Sequence, residues 1–244
     1  MVKRPIHRYE NAQFIPEYDE LAEESIIQIV NQNEAIVRIL ATPLDLEDLA
    51  VGHIFSEGRG DVESVSTNGT TVTVIGNIIP RPSNDILTAS CGACSTGEVE
   101  IPNGIVTNNA SIVSDFKSIM ENMRSKQLIF QRTGGVHASA ILDTKGKILH
   151  IREDIGRHNA MDKAIGACLR ESESPKIIAL SSRIGWELVA KAVRANVEII
   201  IAAGAISASA ERLARSSNIT LIGFANQDKP MIIGSTNRIV DKED

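Results

Sequence analysis

The stretch KIIALSSRIGWELVAKAVRANVEIIIAAG, residues 176–204, decides the fold. It opens on a short apolar run, KIIALSS, and closes on another, VEIIIAAG. Both are too short for helices that span anything, and both are continuous rather than alternating, which is the mark of strands buried on two faces. Between them WELVAKAVRA reads as a helix. The unit is therefore strand, helix, strand. Outward from it the pattern continues. SASAERLARSS (207–217) is a helix and ITLIGFA (219–225) a strand. Upstream, VHASAILD (136–143) and KILHIRE (147–153) form a hairpin around Thr144–Gly146, and RHNAMDKAIGACLRE (157–171) is a helix. Strands and helices in alternation predict a layered α/β domain with helices on both faces, over residues 126–244.

Residues 1–125 read differently. The first 20 or so are polar, carry Pro5 and Pro16, and predict an irregular arm or an edge strand. SIIQIVNQNEAIVRILAT (25–42) gives two strands joined near Asn31–Asn33. In TPLDLEDLAVGHIFSEG (42–58) the period changes to helical: Thr42 is a cap candidate, Pro43 suits a first turn, and Asp45, Glu47 and Asp48 favour the positive end. VESVSTNGTTVTVIG (62–76) is a hairpin about Asn68-Gly69. NIIPRPSND is a connector, and SIVSDFKSIMENMRSKQ (111–127) a helix, with Ser111 or Ser114 as its cap and Ile112, Phe116, Ile119, Met120 and Met123 as its apolar face. This region is a smaller α+β domain that includes a cysteine loop and a linking helix.

The 244 residues carry a net charge of −6 with only five Phe, two Tyr and one Trp, which argues against a nucleic-acid binder. Three cysteines are too few for a disulfide scaffold. The N-terminus has no apolar run of a signal peptide, and no window has the length of a membrane span. A cytoplasmic protein is the expectation.

Two cysteines stand together in TASCGACSTGE (88–98). Cys91 and Cys94 supply half of a structural zinc site, and no second pair at metal spacing follows, although His137, His150 or His158 could join by folding. A redox pair of the thioredoxin type would precede a helix, whereas Glu98, Glu100, Pro102 and Gly104 predict none. Small neighbours instead predict an exposed loop, which suits a thiolate that carries a group between two sites. Inert thiols in a turn are the bland alternative. Cys168, on a helix, reads as a small buried residue.

Polar groups gather at the strand ends. Gly134-Gly135 precede His137. REDIGRHNAMDK (152–163) packs Arg157, His158, Asn159 and Lys163 behind Gly156, a set able to bind anionic oxygens and heterocycle edges. Ser182 and Arg183 end one strand beside a helix start, a place where phosphates bind, and Glu187 is available to hold Arg183 or a ligand amine. No GxGxxG or nucleotide-hydrolase loop is present.

TPLDLEDLAVGHIFSEG, SCGACS, RTGGVHASA, REDIGRHNAMDKAIG, SSRIGWELVAKA and ITLIGFA occur in the order seen in the formate dehydrogenase accessory sulfurtransferase family, often called FdhD, and the chain resembles that family from about residue 25 to 235. DIGRHNAMDK is the most specific block. The resemblance implies a sulfur carrier. It takes sulfane sulfur from a cysteine desulfurase and passes it to the bis-guanine-dinucleotide form of the molybdenum (or tungsten) cofactor, destined for formate dehydrogenase. It implies Cys91 as persulfide carrier with Cys94 as helper, a homodimer, a second domain resembling the cytidine deaminase fold, and a cofactor site. That site takes Gly135, His137, Gly156, Arg157, His158, Asn159, Lys163, Ser182, Arg183 and the segment Phe224, Ala225, Asn226, Gln227, Asp228 and Lys229. No metal held permanently by protein side chains is expected. Deaminase chemistry itself is not: Ser139 stands where a catalytic Glu is needed, and no later PCxxC follows. The chain departs from its family at Ser95, at GAISASAE (204–211) and at FANQDKP (224–230), where only Lys229 is basic. A non-catalytic cofactor chaperone and a zinc or redox CxxC regulator are the rival readings.

Overall fold

The computed structural model describes residues 1–32, 34–79, 86–87, 102 and 104–241. Strands β1 (Val2–Glu10) and β2 (Gln13–Leu21) pair as an antiparallel ribbon. Of the two readings the sequence allows here, an irregular arm or an edge strand, the strand is found. The pairing itself has no local signal, because the turn, Asn11-Ala12, lacks the glycine that usually marks a hairpin. Both turn residues nevertheless adopt positive φ, 49° and 62°. A two-stranded ribbon has two outer edges, so Pro5 and Pro16 are tolerated.

A five-stranded sheet follows, built from β3 (Ser25–Asn31), β4 (Glu34–Ala41), β5 (Gly60–Asn68), β6 (Thr71–Ile78) and β7 (Ile86–Leu87) in the order β5-β6-β3-β4-β7. Helix α1 (Leu46–Ser56) covers it, with Leu49 and Ile54 packed on Ile27, Ile29, Ile39, Val72 and Val74. Both predicted hairpins are present, and Gly69 takes the positive φ that the Asn-Gly turn requires. Thr42 does not cap α1. The helix begins after Asp45, which lies in the left-handed region, and the Thr42 hydroxyl instead accepts from the Ile155 N–H at 3.2 Å.

The remaining elements are β8 (Ile112–Val113), α2 (Phe116–Ser125), α3 (Leu128–Thr133), β9 (His137–Leu142), β10 (Ile148–Asp154), α4 (Arg157–Arg170), β11 (Ile177–Leu180), α5 (Trp186–Arg194), β12 (Ile199–Ala202), α6 (Ala208–Ser216), β13 (Thr220–Gly223), β14 (Met231–Ile233) and β15 (Ile239–Val240). Six of these strands form one sheet, ordered β10-β9-β11-β12-β13-β14, with β11, β12 and β13 parallel and the outer pairs antiparallel. Ile178, Leu180, Ile200, Ala202 and Leu221 face α4, α5 and α6. Ile177, Ala179, Ile199, Ile201 and Ile222 face the other way, onto Phe116, Ile119, Met120 and Met123 of α2. The continuous apolar strands thus reflect a sheet covered on both sides. Helix α2, placed by sequence in the N-terminal region, packs on this C-terminal sheet, and its cap is Asp115 rather than Ser111 or Ser114. Ile112 pairs in β8 with β15 instead of extending the helix face.

The two sheets are joined where α1 crosses α4. A Cβ on Gly52 would lie 1.8 Å from the Asp162 carbonyl oxygen, and one on Gly166 would lie 1.9 Å from that of Asp48. The helix backbones touch, and only glycine permits it. No described helix is long and apolar enough to cross a membrane.

Candidate functional site at the sheet edge

The carboxyl ends of β11, β12 and β13 lie side by side. Ala203 N–H donates to Leu180 carbonyl at 3.0 Å, Gly204 N–H to Ser182 at 3.1 Å, Phe224 N–H to Gly204 at 3.1 Å, and Ala225 N–H to Ala202 at 3.0 Å. A Cβ at Gly204 would lie 3.0 Å from Arg183 Cα, so glycine lets the strand ends close up. Antiparallel β9 brings its first residue, His137, to the same edge. The Ser181 hydroxyl accepts from Ala138 N–H at 2.9 Å and stands 3.5 Å from His137 Nδ1. At the same edge β10 ends in Asp154, paired with His137 in register, and α4 begins at Gly156.

The charge at this edge is positive. His137 is half-buried, and its pKa is lowered first by burial, then by Arg157, Arg183 and His158, against an opposing pull from Asp154. His158 is 3% exposed. Its Nε2 meets Glu187 Oε2 at 2.6 Å, which holds the Glu187 carboxyl below its usual range. Its Nδ1 is buried with no partner in the protein. Glu187 therefore orients His158 and does not hold Arg183, as the sequence had allowed. The arrangement gathers a buried imidazole nitrogen, Arg157, Arg183 and the N-termini of α4 and α5 around His137, a set whose charge suits an anionic ligand.

Not every candidate reaches that edge. Lys163 is fully buried, with Nζ 2.7 Å from Asp154 Oδ2 and 2.9 Å from the Thr42 carbonyl. It has no surface to offer a phosphate, because Asp154 takes its charge. Asn159 is also interior: its amide donates to Leu40 carbonyl at 2.9 Å and to Asp154 Oδ1 at 3.0 Å. Asp154 accepts as well from Thr42 N–H at 2.9 Å and Gly156 N–H at 2.8 Å. The densest part of the REDIGRHNAMDK block is therefore a buried polar joint between α4 and the β4–α1 turn, which also fixes the entry into α4. Ala225 is buried in the core and offers no side-chain surface. Ser182 is nearly buried, its hydroxyl bonded to the Arg183 carbonyl. Gly135 is exposed, with Gly134 beside it at φ 64° ending α3. Phe224 adopts φ 52°, and Asn226, Gln227, Asp228 and Lys229 follow it on the surface, with Asp228 3.3 Å from Lys117.

Cys91 and Cys94 lie outside the described residues. Cys168 is buried, and burial with the nearby Glu173 and Glu171 pushes its thiol up to about 12, so without a cation beside it this thiol is not a nucleophile. Sequence reasoning missed one buried ionic cluster, Asp162 with Lys191, Glu57, Ser56 and His53. Its members come from α1 and the residue just after it, from α4 and from α5, far apart in sequence, so no local spacing announces it.

The profile of the FdhD/NarQ family matches residues 22–240. A protein of Sulfurisphaera tokodaii named sulfur carrier protein FdhD is 31% identical over 237 residues, covering 92% of this chain and 93% of that one. One of the same name from Saccharolobus solfataricus is 33% identical over 212 residues, covering 82% of each. A solved structure from Desulfotalea psychrophila, assigned as a formate dehydrogenase accessory protein, superposes with a TM-score of 0.79 at 18% identity, over 98% of this chain and 99% of that one, and so shares the fold. With a profile match over most of its length and relatives above 30% identity across the same span, the chain belongs to the FdhD/NarQ family.

Proposed function

We propose that this protein is a sulfur carrier in formate dehydrogenase maturation, acting as a sulfurtransferase through Cys91. The observation that carries the reading is that a Cys-x-x-Cys pair, Cys91 and Cys94, lies inside the span matched by a family whose members here are named sulfur carriers. The Cys91 thiolate attacks the outer sulfur of a cysteine desulfurase persulfide. An S–S bond forms at Cys91 as the donor's S–S bond breaks, and the donor leaves as a thiolate. Cys94 assists acceptance or release.

The acceptor is the bis-guanine-dinucleotide molybdenum or tungsten cofactor, a substrate that is handed on. The positive sheet edge supports this part of the reading. Arg157 and Arg183 offset phosphate charge, and the α4 and α5 N-termini add to it. His158, oriented by Glu187, presents its unpartnered Nδ1 to a polar group of the ligand. His137 stays neutral among the arginines and accepts a hydrogen bond or a proton as charge accumulates. Gly135 and the exposed segment from Asn226 to Lys229 border the edge. The carrier works as a homodimer in the cytoplasm, with the desulfurase and the dehydrogenase as successive partners.

The test is intact-mass spectrometry of wild type, Cys91→Ala and Cys94→Ala after incubation with a cysteine desulfurase and cysteine. A reducible gain of one sulfur that vanishes in Cys91→Ala is the expected result. Loss only in Cys94→Ala would reverse the two roles. No gain on wild type with an active donor would overturn sulfur transfer and leave a cofactor chaperone or a zinc or redox regulator.

A further inference from the structure

At the far end of α4 from its Gly156 start, three different metal-ligating side chains converge. His150 lies on β10, Cys168 in the last turns of α4, and Glu173 in the turn after it, and one ligand atom from each lies within 4.8 Å of the others. His150 Nε2 is 3.2 Å from Glu173 Oε2, and His150 Nδ1 is 4.0 Å from Glu171 Oε1. The backbone builds this: the Glu171 and Glu173 N–H groups both donate to the Cys168 carbonyl, at 3.2 and 3.1 Å, curling the chain so that both carboxylates return beside the thiol. Cys168 and His150 are buried, and the carboxylates are exposed, so the cluster has a dry floor and an open mouth.

The charge balance of the cluster is unusual. Among the described residues, neither Glu171 nor Glu173 meets a lysine or arginine; His150 is the only basic group beside them. Two carboxylates with a thiol and an imidazole make a site that is short of a cation. The donor set is one nitrogen, one sulfur and one oxygen. Thiolate and imidazole disfavour calcium and magnesium, while carboxylate disfavours copper(I), which leaves zinc as the best match. The 3.2 Å separation of nitrogen and oxygen is that of adjacent ligands on a small tetrahedral ion. A carboxylate behind the second nitrogen of the histidine is the usual outer partner of such a ligand.

We propose that His150, Cys168 and Glu173 bind one zinc ion, with Glu171 as the outer partner of His150. Binding exchanges the thiol proton of Cys168 for the metal and releases that proton to solvent. The ion ties the edge strand of the sheet to the end of α4, and it is separate from the sulfur-transfer chemistry proposed for Cys91 and Cys94.

The test uses the full-length Cys91→Ser/Cys94→Ser protein, so that no other thiol competes. Cobalt(II), the optical stand-in for zinc, is added alone and followed by its near-ultraviolet thiolate charge-transfer band. One equivalent bound with that band, and displaced by zinc, is expected. Glu173→Gln and Cys168→Ser should each weaken binding on the order of a hundredfold, and Glu171→Gln about tenfold. Glu173 is exposed, so its variant keeps the fold even where a change at buried Cys168 does not. Absence of stoichiometric cobalt, or a band unaffected by Cys168→Ser in a folded protein, would overturn the site. Sulfur loading of wild type is a separate measurement and stands or falls on its own.

Discussion

His137 carries the most informative single titration in the molecule. Burial, Arg157, Arg183 and His158 hold its pKa below 6.5. A histidine with a lowered folded pKa is protonated first in the unfolded chain, so it withdraws stability as the pH falls below about 6.5. An anion seated between the arginines cancels part of their charge and raises that pKa. Guanosine diphosphate, one nucleotide of the proposed cargo, should therefore bind more tightly as the pH falls from 7 towards 6. The His137 ring signals should also titrate at higher pH in its presence. A midpoint unmoved by saturating nucleotide would take His137 out of the binding site. Lys163 gives a second residue-scale prediction, about stability. Replacing it by Met leaves Asp154 buried without its cation, which costs about 3–5 kcal/mol, whereas Lys163→Met with Asp154→Asn should recover much of that. Urea denaturation of the three proteins measures the difference. Equal stability of the single and double variants would show that the pair is not what holds this joint.

Among the elements, the α1–α4 crossing is where sequence and structure agree least obviously. Gly52 and Gly166 read as helix-weakening residues, and each costs about 1 kcal/mol of helix propensity relative to alanine. The crossing reverses the sign. Gly166→Ala should destabilise by more than the ~1–3 kcal/mol usual for overpacking, because the added methyl meets the Asp48 backbone at 1.9 Å and not a movable side chain. Thermal denaturation checks it, and a rise in melting temperature would mean that the helices can separate without cost. The same contrast explains what was legible. The β11–α5–β12 alternation and the Asn68-Gly69 hairpin were readable because the signal lies within a few residues. The Asn11-Ala12 hairpin and the short α3 were not, since their turn chemistry or length falls below any local signal. At the candidate site, the placement of His137 and Arg183 at the ends of strands was readable from the alternation of elements. Lys163 was misread because its partner Asp154 lies nine residues away, at no helical spacing, and burial is a property of the fold.

For the molecule as a whole, the buried cluster at the junction of α1, α4 and α5 governs how the two sheets hold together. Lys191 is 2% exposed and lies 2.6 Å from Glu57 and 2.9 Å from Asp162; Asp162 also accepts from the Ser56 hydroxyl at 2.7 Å. Glu57 and Ser56 belong to the N-terminal region, Asp162 and Lys191 to the C-terminal sheet domain. Lys191 holds the Glu57 carboxyl down to about 2, against burial, and holds Asp162 lower still, while both carboxylates raise Lys191. The signs give a window. The carboxylates contribute stability above their unfolded values near 4, and that contribution is lost as the pH falls to 2 and below. Lys191 contributes below its unfolded value of 10.5 and loses that above its raised folded value. Lys191→Met should therefore destabilise strongly at pH 7, through two buried carboxylates left without a cation. The gap to wild type should narrow as the pH is lowered towards 2, because acid removes from wild type what the mutation already removed. Calorimetry of both proteins from pH 7 to 2.5 tests this. A gap that stays constant would show that packing of the lysine stem, and not its charge, joins the two sheets.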